Sequence, residues 1–541
     1  MYLLFYKKMI LKNSFFSVVE EGAQKMKRPF YEEESMKTDA SEFGWFRSCF
    51  FPIHRSELSR LIPMFIMLFL IAVNQSILRN LKDTIVITAK SSGAEVIPFI
   101  KVWVMMPMAI LFTIIYAYCA TRIGQKKVFF GFIIFFISYF FLFGFVFYPA
   151  RDALHPHQIA DWLQEILPAG FQGFIAMFRN WTFTIFYAMC ELWGSTVLTV
   201  LFWGFANEIT SIKQAPRFYT VLGIAGNLAA MVAGTVASAL SKNQYSESLP
   251  YGHDAWEQTL MSLLLFVFIS GVLTLILFQW MTTQTHFREY HEKNASQIKL
   301  KKKKMPLKES FAFLLKSKYL LCIAIIVIGY NLSINLAEVM WKDQLKEVYR
   351  NPMEYNAYTS NLLIYLGISS TLAAICLPMI INAFGWTVTA LIAPLTMLVT
   401  SAFFFAAMLF KDSSAPFFLD VFGMTPVMAA VSFGAIQNCM SKAAKYSAFD
   451  ATKEMAFIPL DPEWRLKGKA AIDGVGSRIG KSGGSFIYQA LIMAVNSISQ
   501  CAPYIAVILF VVIIGWLIAV VSLGRQFNEA YQKEKGQPSI G

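Results

Sequence analysis

Residues 299–318 read KLKKKKMPLKESFAFLLKSK, and on either side the chain turns almost wholly apolar: TLMSLLLFVFISGVLTLILFQWM (259–281) before it and YLLCIAIIVIGYNLSINLAEV (319–339) after it. A helix needs about 20 apolar residues to cross the hydrocarbon of a bilayer, and both flanking runs meet that length. Working outward, runs of the same kind fall at 61–78, 98–120, 128–148, 181–206, 218–240 and 258–281 on one side. On the other they fall at 319–341, 361–381, 387–410, 415–437, 472–497 and 502–523. The spacing predicts twelve transmembrane helices in two sets of six. The eleventh is the weakest, because it holds Arg478, Lys481 and five glycines.

Composition agrees. Of 541 residues, 56% are hydrophobic and only 15% charged, against about 25% charged in an average soluble chain. Fifty Phe and 25 Met suit a lipid-facing surface better than one soluble core. The net charge of +13 sits largely in the loops, where Lys and Arg set orientation, so it predicts topology and not nucleic-acid binding. Loop 282–318 carries Lys301 to Lys304 and six further cations against three acids. Loop 121–127 has Arg122, Lys126 and Lys127, and loop 438–471 has six Lys or Arg. The alternate loops 149–180, 241–257 and 342–360 are near neutral or acidic, which predicts both termini in the cytoplasm.

The chain therefore divides into a tail (1–57), a first six-helix half (58–281), a basic linker (282–318), a second half (319–524) and a C-terminal tail (525–541). Met9, Met26 and Met36 are alternative starts within the first tail, which shows no signal-peptide cleavage site. Two six-helix halves are the plan of the major facilitator architecture, with a substrate site midway between them. Segment 157–170 places Ile159, Trp162, Leu163, Ile166 and Leu167 on one helical face, which predicts an amphipathic helix at the outer interface.

Several chemistries are excluded. The seven cysteines are scattered with no CxxC pair, and all six histidines lie outside the apolar runs, so neither a metal site nor a cofactor site is predicted. Gly480-Lys481-Ser482 imitates the end of a Walker A loop, but that motif needs glycine at 475, which is Val475, and a preceding strand. No paired carboxylates, activated nucleophile or metal cluster points to an enzyme, and nothing in the chain calls for an obligate protein partner.

Charge inside the spans is the positive signal. An ionised side chain at mid-bilayer costs about 2.5–3.5 kcal/mol even on lenient scales, so each such residue is a functional candidate. Glu191 lies in the fourth span with no cation within ten positions, so it is neutral or paired across helices. Glu338 lies near the end of the seventh, four residues before Lys342. Arg79 and Lys82 close the first span, three apart, among Asn74, Gln75, Ser76 and Asn80, which suggests a wet cavity over snorkelling. Arg478 and Lys481 repeat that spacing in the eleventh, preceded by Lys467 and Lys469. Backbone amides beside Lys and Arg are what a phosphate needs. Arg79, Lys82, Arg478 and Lys481 supply two cations from each half.

Longer strings then carry a resemblance: LRNLKDTIVITA (78–89), AEVIPFIKVW (94–103), ELWGS (191–195) with LFWGFANEIT (201–210), INLAEVMWKDQLK (334–346), DATKEMAFIPLD (450–461), and KGKAAID (467–473) with GKSGGS (480–485). These resemble the nucleotide transporter family, the ATP/ADP translocases of obligate intracellular bacteria and plastids, from about residue 50 to 525. The resemblance implies twelve helices in a bacterial inner membrane and nucleotide cargo, exchanged or taken up with protons. It assigns function to Lys82, Glu191, Glu338 and a C-terminal lysine, Lys481 in preference to Lys469. By this reading Lys82, Arg79, Lys481, Arg478 and Lys469 bind phosphate, while Glu191 and Glu338 couple or gate.

There are departures from the family pattern. Where exchangers often read NYTILRDTKD, this chain has NQSILRNLKD, so Asn80 replaces an acid and Gln75 an aromatic; Tyr488-Gln489 stands where paired glutamines are common. The departures lean toward proton-coupled import of several nucleoside triphosphates. Strict ATP/ADP exchange is the alternative, and a facilitator for another organic phosphate the third reading.

Overall fold

The computed structural model describes residues 54–210, 214–284, 317–460, 462–472 and 476–534. The N-terminal tail and nearly all of the basic linker lie outside the described residues, as does the last stretch of the C-terminal tail.

Among the described residues, nine helices are long and apolar enough to cross a membrane, and a tenth is formed if one bent pair counts as a single span. In the first half these are α1 (Arg55–Ile87), α2 (Val96–Arg122) and α3 (Gln125–Phe147). After a hairpin of two short helices, α4 (His157–Ile166) and α5 (Gln172–Arg179), follow α6 (Trp181–Ile209), α7 (Ala215–Leu240) and α8 (Ala255–Thr283). The second half holds α9 (Lys318–Val348), α10 (Pro352–Leu409), α11 (Lys411–Phe422), α12 (Pro426–Ala456), α13 (Pro462–Ala471), α14 (Ser477–Val495) and α15 (Ala502–Glu534).

Helix α10 runs for 58 residues, which at 1.5 Å per residue would reach about 87 Å, close to three hydrocarbon thicknesses of about 30 Å. It breaks at Gly385, whose φ of +76° suits a residue without Cβ. The described residues thus give nine spans, or ten with α11 and α12 as one bent crossing 78° apart, against the twelve the sequence predicts; the break in α10 and the more polar α14 are where the other two expected spans fall.

Local chemistry sets several of these starts. Asp254, Ser317, Asn351 and Thr425 each accept a backbone N–H at the head of α8, α9, α10 and α12, and Pro352 and Pro426 occupy first positions where no N–H is needed. Aromatic stacking fills the core of the first half, with Phe129 on Phe278 at 3.8 Å and Phe143 on Phe186 at 4.0 Å between ring centres.

Three boundaries differ from the sequence expectation. Helix α1 continues to Ile87, so Arg79 and Lys82 lie inside it and do not end it. The helix after the bend begins at the Thr425 cap and extends to Ala456, which places Lys442, Lys445 and Lys453 within a helix where the sequence predicts a loop. The amphipathic helix ends at Ile166, and Gly170 turns against the backbone of Met493. That helix exposes Ile159, Trp162 and Ile166, while Leu163 and Leu167 are half-buried. The buried Arg179 ties it down through Asp161 (2.6 Å) and Gln164 (3.1 Å).

The halves meet where the ends of α1 and α7 and the start of α2 face α9, α10 and α14. There Asn80 donates to Ser360 (3.1 Å), Ser238 to Asn361 (2.8 Å) and Asn356 to Ser241 (2.8 Å). Lys346 donates to the carbonyl of Ser92, and Gln489 donates to that of Pro98 (2.9 Å). Backbones approach closely where side chains are absent: a Cβ on Gly234 would stand 2.6 Å from the Ser360 carbonyl oxygen.

Candidate cargo site

Helix α1 places Arg79, Lys82 and Asp83 within about one turn, and α9 places Asn331, Asn335, Glu338 and Lys342 at helical spacing along one face. Both stripes turn toward the interface between the halves, where they mesh into a row of alternating charge. Glu191 Oε1 accepts Lys82 Nζ at 3.2 Å, and Lys82 lies 2.8 Å from Asp83 Oδ1. Lys342 lies 2.8 Å from Asp83 Oδ2 and 3.3 Å from Glu338 Oε1. The same Glu338 oxygen is 3.2 Å from Lys442 and 4.0 Å from Arg79.

Burial sorts the row into two parts. Lys82 is 2% exposed, with its ammonium 3.9 Å above the ring centre of Tyr187, a cation–π contact that suits a dry site. Toward the other end a narrow cleft opens, lined by Arg79, Asn80, Asp83, Glu338, Lys342 and Lys442, with Trp341 and Leu362, Leu363 and Leu366 as its apolar wall. Three cations to two carboxylates line it, so it presents excess positive charge to an entering anion.

Among the residues singled out from the sequence, Arg79 and Glu338 line this cleft, and the buried Lys82 pairs with the half-exposed Glu191 beside it. Arg478 is exposed and is not among the cleft-lining residues. Lys469 is exposed and pairs with Glu454. The side chain of Lys481 lies outside the described residues; its backbone belongs to α14, which packs on α9 through Gly480 and Gly484.

A family model, described as the TLC ATP/ADP transporter, matches residues 36–527. The chain belongs to the TLC ATP/ADP transporter family. It is 45% identical over 499 residues to "ADP,ATP carrier protein 1" of Chlamydia trachomatis serovar D, covering 91% of this chain and 93% of that protein. It is 41% identical over 485 residues to "ADP,ATP carrier protein 1, chloroplastic" of Arabidopsis thaliana, covering 90% and 76%. Among solved structures, a bacterial homologue of the iron transporter ferroportin superposes with a TM-score of 0.54 at 14% identity, covering 87% of this chain and 99% of that one. A D-xylose-proton symporter gives 0.51 at 14% identity, covering 86% and 97%. These likenesses show a shared transporter fold, and the TLC family is one of multi-pass membrane transporters and not of enzymes.

Three charged residues of this TLC family member escaped sequence reasoning as site candidates. Asp83 bridges Lys82 and Lys342. Lys442 was assigned to a loop. Lys101 donates to Asn335 Oδ1 at 2.6 Å across the interface, and opens a π-helical stretch, Lys101–Met105; π-bulges of this kind are frequent at functional sites. Its signal was present in the string VIPFIKVWVMM (96–106), one cation in an apolar run.

Proposed function

We propose that the protein exchanges ATP for ADP across a bacterial inner membrane by alternating access, with both termini in the cytoplasm. The observation that carries this reading is the charged row spanning both halves beside a cleft with surplus cations: a polyanion is attracted there, and the row that receives it also joins the two halves. The names of the relatives, ADP,ATP carriers at 40–45% identity from Chlamydia and from chloroplasts, supply the cargo.

In this scheme the adenine nucleotide enters with its phosphates toward Arg79. Glu191 and Glu338 act as gating carboxylates, since each holds a cation of the row. Lys82, now saturated by Asp83 and Glu191, meets phosphate when the seal parts and the access side changes. Lys481, Lys469 and Arg478 contribute from the second half in other stages of the cycle. No cofactor, metal or partner chain is required by the scheme.

Proton-coupled import of several nucleoside triphosphates is the second reading, favoured by Asn80, which lines the cleft where family exchangers often carry an acid. Proteoliposomes holding the purified protein decide between them. Exchange requires internal ADP to accelerate uptake of labelled ATP and an uncoupler to leave it unchanged. Uncoupler-sensitive uptake indifferent to internal ADP overturns exchange in favour of the second reading, and absence of nucleotide uptake overturns both.

A further inference from the structure

Three cations from three helices converge on one oxygen of Glu338: Lys342 of α9 at 3.3 Å, Lys442 of α12 at 3.2 Å and Arg79 of α1 at 4.0 Å. The Glu338 side chain is 16% exposed and Lys442 13%, while Arg79 is 38% exposed, and all four residues line the cleft. One carboxylate oxygen can satisfy such a set only in part, since an ammonium has three donors and a guanidinium five. The arrangement resembles a phosphate site in which a carboxylate occupies the place of one phosphate oxygen.

We propose that Glu338 is an internal stand-in for cargo phosphate, and that Lys442 is a phosphate-binding residue of the transport cycle. When the cargo arrives, its terminal phosphate takes over Lys442 and Arg79 from the carboxylate. Glu338 keeps Lys342, which is already shared with Asp83 at 2.8 Å. When the cargo leaves, the carboxylate returns, so the buried cations are not left without an anion in the empty site, a state that would be costly. The stand-in thus lowers affinity and speeds release. It rests on the phosphorylated cargo proposed above, and goes beyond it by naming the residue that competes and the cation it yields.

The test is binding of three probes, inorganic pyrophosphate, ATP and adenosine, to purified full-length protein by titration calorimetry. Lys442→Gln is expected to weaken pyrophosphate and ATP by about tenfold or more, the range for a hydrogen bond to a charged group, and to leave adenosine unchanged. Glu338→Gln is expected to tighten pyrophosphate by a similar factor, a gain that a misfolded variant cannot give. Pyrophosphate bound by Glu338→Gln no better than by the parent, or by Lys442→Gln as well as by the parent, overturns the stand-in, and the nucleotide reading survives if the parent binds ATP. A parent that binds pyrophosphate, but neither ATP nor adenosine, with the two variants shifted as expected supports the stand-in and overturns the nucleotide reading. A parent that binds none of the probes overturns both.

Discussion

Asp83 on α1 and Lys342 on α9 lie 2.8 Å apart across the interface between the halves, and Asp83 holds Lys82 at the same distance on its other oxygen. One carboxylate thereby links a cation of its own half to a cation of the other. Removing it leaves Lys82 with Glu191 and Lys342 with Glu338, so Asp83→Asn should fold and yet hold the halves together less firmly. A cysteine replacing Ser238, which is 4% exposed and bonded to Asn361, reports on this. Its labelling by a membrane-impermeant maleimide, added on the sealed side, should rise in Asp83→Asn. Unchanged labelling removes the pair from the seal.

The buried Lys82 and the half-exposed Glu191 predict an asymmetric dependence. Removing Glu191 leaves Lys82 with Asp83, whereas removing Lys82 takes from the row the cation that Asp83 and Glu191 share. Uptake of labelled ATP should therefore fall by about tenfold or more in Lys82→Ala, the range for a hydrogen bond to a charged group, and by less in Glu191→Ala. Lys82→Arg should not rescue, because the ammonium already rests 3.9 Å above Tyr187 and a guanidinium overfills that space. Wild-type rates in Lys82→Arg would mean that the site is roomier than this packing.

Gly234 predicts a mutant defective in movement more than in binding. Its missing Cβ would lie 2.6 Å from the Ser360 carbonyl oxygen, a backbone atom that cannot rotate aside. Gly234→Val should wedge α7 from α10 and cut the transport rate, while ATP affinity in the cleft changes less than threefold, well under the cost of losing one charged hydrogen bond. Equal loss of both, or of neither, contradicts the close approach as a moving contact.

The connection before α4 gives a pH dependence of stability. His155 lies between the third and fourth spans, 6% exposed, with Nε2 2.7 Å from Thr182 Oγ1. Burial pushes its pKa down to about 4, assisted by His157, against about 6.5 when unfolded. Folding therefore favours the neutral ring: its contribution is complete above about pH 6.5 and is lost as pH falls through about 4. Melting temperature in detergent should decline over that window and decline less in His155→Gln. Equal slopes for both proteins would refute this account.

The spans were legible because twenty apolar residues are a long signal, and Glu191 and Glu338 because charge is costly among them. Lys442 was not. Averaging over 415–437 passes over the turn at Gly423 and the Thr425 cap with Pro426 behind it, so the helix after the turn is cut short at 437 and its cationic end falls into a loop. The cap was visible as a local motif, but hydropathy outweighed it. Arg478 is exposed outside the cleft, because spacing says nothing about which face of α14 packs inward, and the close approach of Gly480 and Gly484 to α9 decides that. Asp83 shows a third limit: neighbours in sequence can be shared with a distant helix, and no local pattern reveals the sharing.

The alternation of sign along the charged row has a mechanical consequence. If the bundle comes apart between Asp83 and Lys342, and between Arg79 and Glu338, the first half departs with two cations and two anions and the second with Lys342 and Lys442 around Glu338. Lys82 keeps Asp83 and Glu191, and Glu338 keeps Lys342 and Lys442, while Arg79 gives up its carboxylate and the second face retains one cation in surplus. The joint behaves as a detachable coupling: most of its charges carry a partner away with them, and the positive remainder is what an anionic cargo offsets.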